Sequence, residues 1–318
     1  MPHRPTSPQQ LRHALSRRRI RRRSRRLGAV AACALGATLA LSGTAHAGPA
    51  GHGAKFAGRY VALGDSYAAG PGIPHLRLES GLCARSTNNY PSQVAAALAP
   101  AAFRDMSCTG AETKHMTKRQ HSNPPQFSAL GPDTRLVTLT IGGNDAGFIE
   151  VLATCAIVGV LDPGGAPCEK KNTLGGSDKI DRRIDETMPK IAEVIRGIRE
   201  RAPQAAVFAV GYPALLPDSK DSCVVNIPLA RGDVPYLAAK IRRFNERLAA
   251  VAAENGAIYV DTYTPSVGRE ACQAADVRWI EGIEDVRGAI PVHPNARGMA
   301  GMAEAVLAAI RAADLAAV

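Results

Sequence analysis

Short apolar runs alternate with longer helical patterns along most of this 318-residue chain. Four runs, mostly of apolar and β-branched residues, lie at 59–64, 135–141, 205–211 and 257–261. Such runs are typical of strands that are buried on both faces of a parallel sheet. Strands that alternate with helices in this way predict a three-layer α/β/α domain with a central, mainly parallel sheet.

Three segments between and after these runs carry apolar residues at helical spacing, which predicts amphipathic helices that pack against the sheet. Their apolar stripes are Ile180, Ile184, Met188, Ile191, Ile195 and Ile198; Leu237, Ile241, Phe244, Leu248 and Val251; and Met299, Met302, Val306 and Ile310. We interpret these stripes as core residues rather than as cofactor-binding motifs.

The first 47 residues have the composition of an export signal. They contain ten arginines and no lysine or acidic residue, so they hold ten of the chain's +11 net charges. An apolar run at 27–41 and the small residues around His46 follow, as in a signal peptide with its cleavage site. A basic nucleic-acid arm or a retained anchor is the alternative, but the apolar run is shorter than the roughly 20 residues of a membrane span. We therefore predict a secreted protein that binds no nucleic acid and has no stable membrane span, while Sec or Tat export stays open.

Residues 48–318 are long enough for one α/β domain, and no repeat or long linker divides them. Without Cys33 of the signal segment, six cysteines remain, and an even number in an exported chain indicates disulfides. We favour pairs of sequence neighbours, because each closes a local loop: Cys83 with Cys108, Cys155 with Cys168, and Cys223 with Cys272. The cysteines lack the spacing of a zinc site, so we expect no metal.

Residues with catalytic potential lie at the ends of three predicted elements. Ser66 follows the first strand on a Gly-Asp-Ser turn, Asn144 follows the second strand in Gly-Gly-Asn-Asp, and His293 precedes the last helix. Each alone has an ordinary explanation, as a helix cap, a turn residue or a surface histidine. In α/β folds, however, ligands bind at the carboxyl ends of the strands, so the three together predict one catalytic site.

The blocks Gly64-Asp65-Ser66, Gly110, Gly142-Gly143-Asn144-Asp145 and His293-Pro294 resemble those of the SGNH (GDSL) hydrolases. The resemblance spans the chain after the export signal, and it is strongest to the secreted actinobacterial (Streptomyces-type) lipases and esterases of that family. It implies a flavodoxin-like sheet and an esterase that needs no cofactor.

The resemblance also implies a role for each matched residue. Ser66 matches the nucleophile and His293 the general base, while the Ser66 and Gly110 N–H groups and the Asn144 side-chain amide match the oxyanion hole. Most members place an aspartate three residues before the histidine, where this chain has Ile290. We expect the main-chain carbonyl of Ile290 to hold the histidine ring; a displaced carboxylate from Asp285 or Glu284 is the alternative.

The expected substrate is a fatty acyl ester or lipid, and the expected assembly is a monomer. Loops at 70–90, 145–178 and 212–236 are predicted to surround the crevice, and their apolar residues would line it: Ile73, Leu76, Phe148, Ile149, Leu152, Pro213, Leu215 and Leu216. A carbohydrate deacetylase is an alternative, although aromatic residues for sugar binding make up only 4% of the chain. A catalytically inactive secreted binding protein is a further alternative.

Overall fold

Five strands form one parallel sheet in the part of the chain that the structure describes, which is residues 58–219 and 226–316 of a computed structural model. The strand order is β2-β1-β3-β4-β5. The strands are β1 (Arg59–Gly64), β2 (Ala102–Asp105), β3 (Thr134–Thr140), β4 (Ala206–Val210) and β5 (Ile258–Val260). Every neighbouring pair is parallel, so the carboxyl ends of all five strands lie at one edge of the sheet.

Helices connect the strands. The α-helices among the described residues are α1 (Ser66–Ala69), α2 (Tyr90–Leu98), α3 (Phe148–Gly159), α4 (Pro167–Thr173), α5 (Lys179–Arg201), α6 (Asp233–Glu254) and α7 (Ala296–Ala316). Short 3-10 helices lie at Leu78–Cys83, Thr113–Met116, Gln126–Ala129 and Thr264–Ser266.

Alternate residues of β1 belong to two separate hydrophobic cores, because successive side chains of a strand point to opposite faces. Val61 and Leu63 pack with the apolar stripes of α5 and α6, whereas Tyr60 and Ala62 pack with those of α2 and α7. The sheet is therefore covered on both faces, and the predicted three-layer α/β/α fold is confirmed. The described residues all fall within one compact unit.

The structure differs from the prediction in two regions. The edge strand β2 and the helix α2 were not anticipated, and the segment 145–178 holds α3 and α4 where loops were expected. The helix α3 has apolar residues on all sides, so it lacks the alternation of polar and apolar faces that marks an amphipathic helix. None of the helices among these residues is long and apolar enough to cross a membrane.

Two of the predicted disulfides are present, Cys83–Cys108 and Cys155–Cys168. The first joins the loop after α1 to the segment after β2, and the second joins α3 to α4. Cys272 is also disulfide-bonded. Its predicted partner Cys223 and the predicted export signal at 1–47 lie outside the described residues, so that pair and the domain boundary stay predictions.

Candidate active site

Ser66 is the first residue of α1, directly beyond the carboxyl end of β1. Asp65 caps this helix, because its Oδ1 accepts a hydrogen bond of 2.9 Å from the Tyr67 N–H. Gly64 has a φ of 147°, and a β-carbon there would collide with the backbone of Thr140 on β3. Glycine at this position therefore lets the chain turn sharply and present the Ser66 hydroxyl at the sheet edge.

His293 lies in the loop before α7 and meets Ser66 across 227 residues of sequence. Its Nε2 is 2.8 Å from Ser66 Oγ, and its Nδ1 is 2.7 Å from the main-chain oxygen of Pro291. The Nδ1–H therefore donates to a carbonyl, which leaves Nε2 as the acceptor that faces the serine hydroxyl.

The carbonyl that holds the histidine is that of Pro291, so the prediction of Ile290 is wrong by one residue. Val292 has a φ of 60°, a left-handed conformation that is strained for a β-branched residue and reverses the chain between Pro291 and His293. The Ile290 backbone instead pairs with the loop after α1, where its N–H donates to Pro71 O over 3.2 Å.

Neither residue that was considered as the source of a displaced triad acid is hydrogen-bonded to the histidine ring. The side chain of Asp285 pairs with Arg278 and Arg287, and the backbone of Glu284 donates to Asn226. Across the residues that the structure describes, no carboxylate makes a hydrogen bond with the His293 ring. Burial lowers the pKa of His293 below its ordinary value, and the bond to Pro291 opposes this only in part, so the ring is neutral near pH 7.

Tyr67 supports the strained turn before the histidine. Its hydroxyl donates to Val292 O over 2.6 Å, and its ring lies 5.2 Å from the imidazole between centroids. Val292 N also donates to Glu281 O at 3.0 Å. These bonds fix the backbone on both sides of the turn, so the imidazole is held against Ser66 by the tertiary structure.

Two further loops approach the serine from β2 and β3. Asn144 is partly buried, and its Nδ2 donates to Ala111 O at 2.8 Å. The Thr113 N–H and hydroxyl both donate to the Asp145 carboxylate, which ties the same two loops a second time. One amide hydrogen of Asn144 remains for a ligand after this bond.

Gly110 lies in the first of these loops, in a left-handed conformation with a φ of 75°. The N–H groups of Gly110 and Ser66 donate no hydrogen bond to any other residue in the described ranges. Both can therefore donate to an anion at the mouth of the site. Asp65 serves as a helix cap, and Asp145 binds the neighbouring loop.

Tyr212 connects the nucleophile loop to the Asn144 loop and was not singled out in the sequence. It follows the carboxyl end of β4, just as Ser66 follows that of β1 and Asn144 that of β3. Its buried hydroxyl accepts from the Gly143 N–H at 2.9 Å and donates to Asp65 Oδ2. A single hydroxyl thus sets the spacing of the two loops.

Asp65 is almost fully buried, and this burial raises its pKa from 3.8 to about 7. The hydrogen bonds from Tyr212 and from the Tyr67 N–H oppose the shift because they stabilise the carboxylate. The negative charge of Asp145 raises the pKa further. The carboxyl next to the serine therefore changes its protonation close to neutral pH.

A small, mostly apolar cavity of about 20 Å³ opens beside Ser66. Its lining includes Tyr67, Asn144, Phe148, Ile149, Tyr212, Leu215 and Ile241. A second apolar cavity shares Phe148, Leu215 and Ile241 with the first and extends to Leu152, Leu216 and Leu237. Of the predicted lining residues, Ile73 instead packs in the core on the other sheet face, and Leu76 and Pro213 line neither cavity.

The residues of this site lie within a match to a known family. Residues 62–300 match the GDSL-like lipase/acylhydrolase family. The chain belongs to this family. It is 44% identical over 282 residues to Lipase 2 of Streptomyces coelicolor, an alignment that covers 87% of this chain and 92% of that protein. The chain is a carboxylic ester hydrolase.

Solved structures agree with this assignment. The crystal structure of phospholipase A1 from Streptomyces albidoflavus NA297 superposes with a TM-score of 0.67 at 30% identity, over 80% of this chain and 99% of that one. The extracellular lipase of Streptomyces rimosus superposes with the same TM-score and identity, over 80% of this chain and 100% of that one. The GDSL-family fold of this chain is therefore shared with enzymes of known structure.

No group of three or more His, Cys, Asp or Glu side chains in the described ranges of this GDSL-family hydrolase is arranged to hold a metal ion. Ser66 and His293 lie in direct contact, and the loops of Gly110 and Asn144 are joined to one another. The position of the histidine acceptor and the roles of Tyr67 and Tyr212 were missed by sequence reasoning.

Proposed function

We propose that this enzyme is a secreted serine esterase or lipase that cleaves fatty acyl esters through an acyl-enzyme, with Ser66 as nucleophile and His293 as general base. The observation that carries the proposal is the contact of 2.8 Å between His293 Nε2 and Ser66 Oγ, with Nδ1 held from the other side. A serine hydroxyl is a weak nucleophile until a base accepts its proton, and this arrangement provides that base.

In the acylation step, His293 Nε2 takes the proton of Ser66 Oγ while Oγ attacks the carbonyl carbon of the ester. The carbonyl oxygen becomes an oxyanion that accepts hydrogen bonds from the Ser66 and Gly110 N–H groups and from Asn144 Nδ2. When the tetrahedral intermediate collapses, the C–O bond to the alcohol breaks and the imidazolium gives its proton to the departing oxygen.

In the deacylation step, a water molecule gives a proton to His293 Nε2 and attacks the acyl-enzyme. The second tetrahedral intermediate collapses to release the carboxylic acid, and the proton returns from the imidazolium to Ser66 Oγ. No oxidant, metal or cofactor enters either step.

The catalytic unit in this proposal is a dyad, because Pro291 supplies a neutral carbonyl where a triad supplies a carboxylate. The carbonyl fixes the tautomer and the direction of the ring, as a triad aspartate does. It stabilises the imidazolium less than a negative charge would, so the oxyanion donors carry more of the transition-state stabilisation.

The apolar side chains next to Ser66 support an acyl chain as the group that is bound. Residues of α3 and of the segment after β4 provide aliphatic and aromatic walls, as hydrocarbon chains require. Relatives named as lipases, an esterase and a phospholipase A1 agree with acyl esters as the substrate class. The disulfides and the predicted export signal support secretion, in line with the extracellular lipase of S. rimosus.

The decisive experiment compares Ser66→Ala with the parent enzyme on 4-nitrophenyl esters of graded acyl length and on acetylated xylan. We expect kcat to fall by about 10³-fold or more, since the activated nucleophile is lost, while the melting temperature is preserved. Ser107→Ala is the matched control, because this buried serine binds Asp105 rather than the histidine and should retain kcat.

Retention of more than about a tenth of the parent kcat by Ser66→Ala would show that Ser66 is not the nucleophile. Faster release of acetate from xylan than turnover of the longer acyl esters would replace the lipase assignment by a carbohydrate deacetylase with the same residues.

A further inference from the structure

The helix α3 is apolar on the side that faces solvent as well as on the side that faces the core. Its inner residues, such as Leu152, are buried. On its outer side, Ile157 is 71% exposed, and Leu161, which follows the last turn, is 85% exposed. The outward side of a surface helix is normally polar, so an apolar outer side is unusual and can mark an interaction site.

The exposed residues form one stripe that begins at the substrate cavity. Ile149, Ala153, Ile157 and Val160 follow one another at helical spacing, and all four are exposed. Ile149 also lines the cavity beside Ser66. At a rise of about 1.5 Å per residue the stripe leads away from the cavity mouth for roughly 18 Å. The acyl-binding cavity therefore opens at one end of the apolar surface.

A cationic cavity of about 420 Å³ borders this stripe. It lies between α3, α4 and α5, and its charged lining consists of Lys171, Lys179, Arg182 and Arg183 against Glu150 and Glu186. Arg183 pairs with Glu150 at 3.4 Å, whereas Lys171 and Lys179 form no ion pair within the described ranges. The cavity thus has an excess of positive charge directly beside an apolar helix face.

We propose that the outer face of α3, from Ile149 to Leu161, docks the enzyme on an anionic lipid surface, with the phosphates of the headgroups at the cationic cavity. An apolar helix face bordered by cations matches the boundary between acyl chains and anionic headgroups. Docking in this way brings the mouth of the acyl cavity to the lipid from which the substrate comes. The proposal rests on the proposed lipase function and deepens it.

A second copy of the chain fits this face less well. The stripe is one helix wide, so it covers roughly 18 Å by 10 Å, whereas a stable dimer buries about 800 Å² on each partner. A symmetric pair would also place two cationic cavities near each other, and like charges across an interface oppose association.

The test uses the Ser66→Ala background, so that binding is measured without hydrolysis, and vesicles of ether-linked phosphatidylcholine with or without phosphatidylglycerol. Flotation should recover the protein with the anionic vesicles. We expect the double variant Ile157→Asp/Leu161→Asp to lower the binding constant about tenfold or more, since it removes two apolar side chains that docking buries in the lipid and adds two negative charges. Lys171→Gln and Lys179→Gln should each lower binding to the anionic vesicles by about fivefold and leave the weaker binding to pure phosphatidylcholine unchanged.

Ile258→Asp is the matched control, because Ile258 is 40% exposed at the amino end of β5, away from the catalytic edge of the sheet. It should change binding by less than about twofold. The proposal is overturned if the Ser66→Ala protein does not float, or if the control loses as much binding as the α3 variant. It is also overturned if light scattering shows that the parent is a dimer and that the α3 variant is a monomer.

The kcat/KM of the α3 variant for soluble 4-nitrophenyl butyrate, measured with Ser66 intact, separates the two proposals. A value within about twofold of the parent is expected, because Ile157 and Leu161 lie outside the substrate cavities. If docking fails while soluble hydrolysis and its dependence on Ser66 stand, only the lipid-docking proposal is lost. If Ser66→Ala retains hydrolysis, the proposed mechanism is lost whether or not the protein docks.

Discussion

Tyr212→Phe tests whether the spacing of the two catalytic loops depends on one hydroxyl. The substitution keeps the ring, which packs edge-on against Tyr67 and Phe244, and removes only the oxygen. That oxygen accepts from the Gly143 N–H at 2.9 Å and donates to Asp65 Oδ2. The cavity left behind is buried, because Tyr212 is only 3% exposed.

The expected magnitude follows from these two bonds. A hydrogen bond to a charged carboxylate contributes about 1.5–3 kcal/mol, and a buried N–H that loses its acceptor costs about 1–3 kcal/mol. Partial relaxation of the loops recovers some of this loss, so we expect the free energy of unfolding to fall by about 2–4 kcal/mol at pH 8, where Asp65 is ionised. Because Gly143 precedes Asn144, we also expect kcat to fall by about tenfold or more with little change in KM.

Denaturant unfolding and steady-state hydrolysis of a soluble ester measure both effects. Tyr60→Phe is the control, since Tyr60 is also fully buried but its hydroxyl lies 2.8 Å from the neutral Thr138 hydroxyl, away from both loops. It should cost about 1 kcal/mol and preserve kcat. If Tyr212→Phe folds and keeps the parent kcat, the hydroxyl does not position the Asn144 loop and the reasoning is refuted.

Three further outcomes are expected. Asn144→Ala should lower kcat by about 10²–10³-fold, because one oxyanion donor is lost; steady-state kinetics checks this, and a smaller effect removes Asn144 from the oxyanion hole. The rate should rise with pH to a plateau with a midpoint below 6.5, since burial lowers the pKa of the His293 base, and a midpoint above 6.5 contradicts this assignment. The native state keeps the Asp65 proton up to about pH 7, whereas the unfolded chain releases it near pH 3.8. The contribution of Asp65 to the unfolding free energy therefore falls as the pH rises from about 3.8 to about 7. Asp65→Asn should remove this fall when the unfolding free energy is measured against pH.

The strand and helix pattern of the sequence determined most of the fold. Four of the five strands and the helices α5, α6 and α7 were predicted, because continuous apolar runs and apolar residues at helical spacing follow from burial. The strand β2 escaped prediction since it is a four-residue edge strand in which no residue is fully buried. In the predicted strands and helices the apolar pattern of the sequence matches the burial, whereas β2 has no buried residues to produce such a pattern.

The residue types of the site could also be read from the sequence, because Ser66, Asn144 and His293 stand at element ends where a parallel sheet collects ligands. The sequence could not show which carbonyl holds the imidazole, since Pro291 and Ile290 are neighbours in the same loop. Only the left-handed turn at Val292, held by Tyr67 and by the backbone of Glu281, directs the Pro291 oxygen at the ring. The contact between Tyr67 and Val292 spans 225 residues of sequence, and no local pattern encodes it.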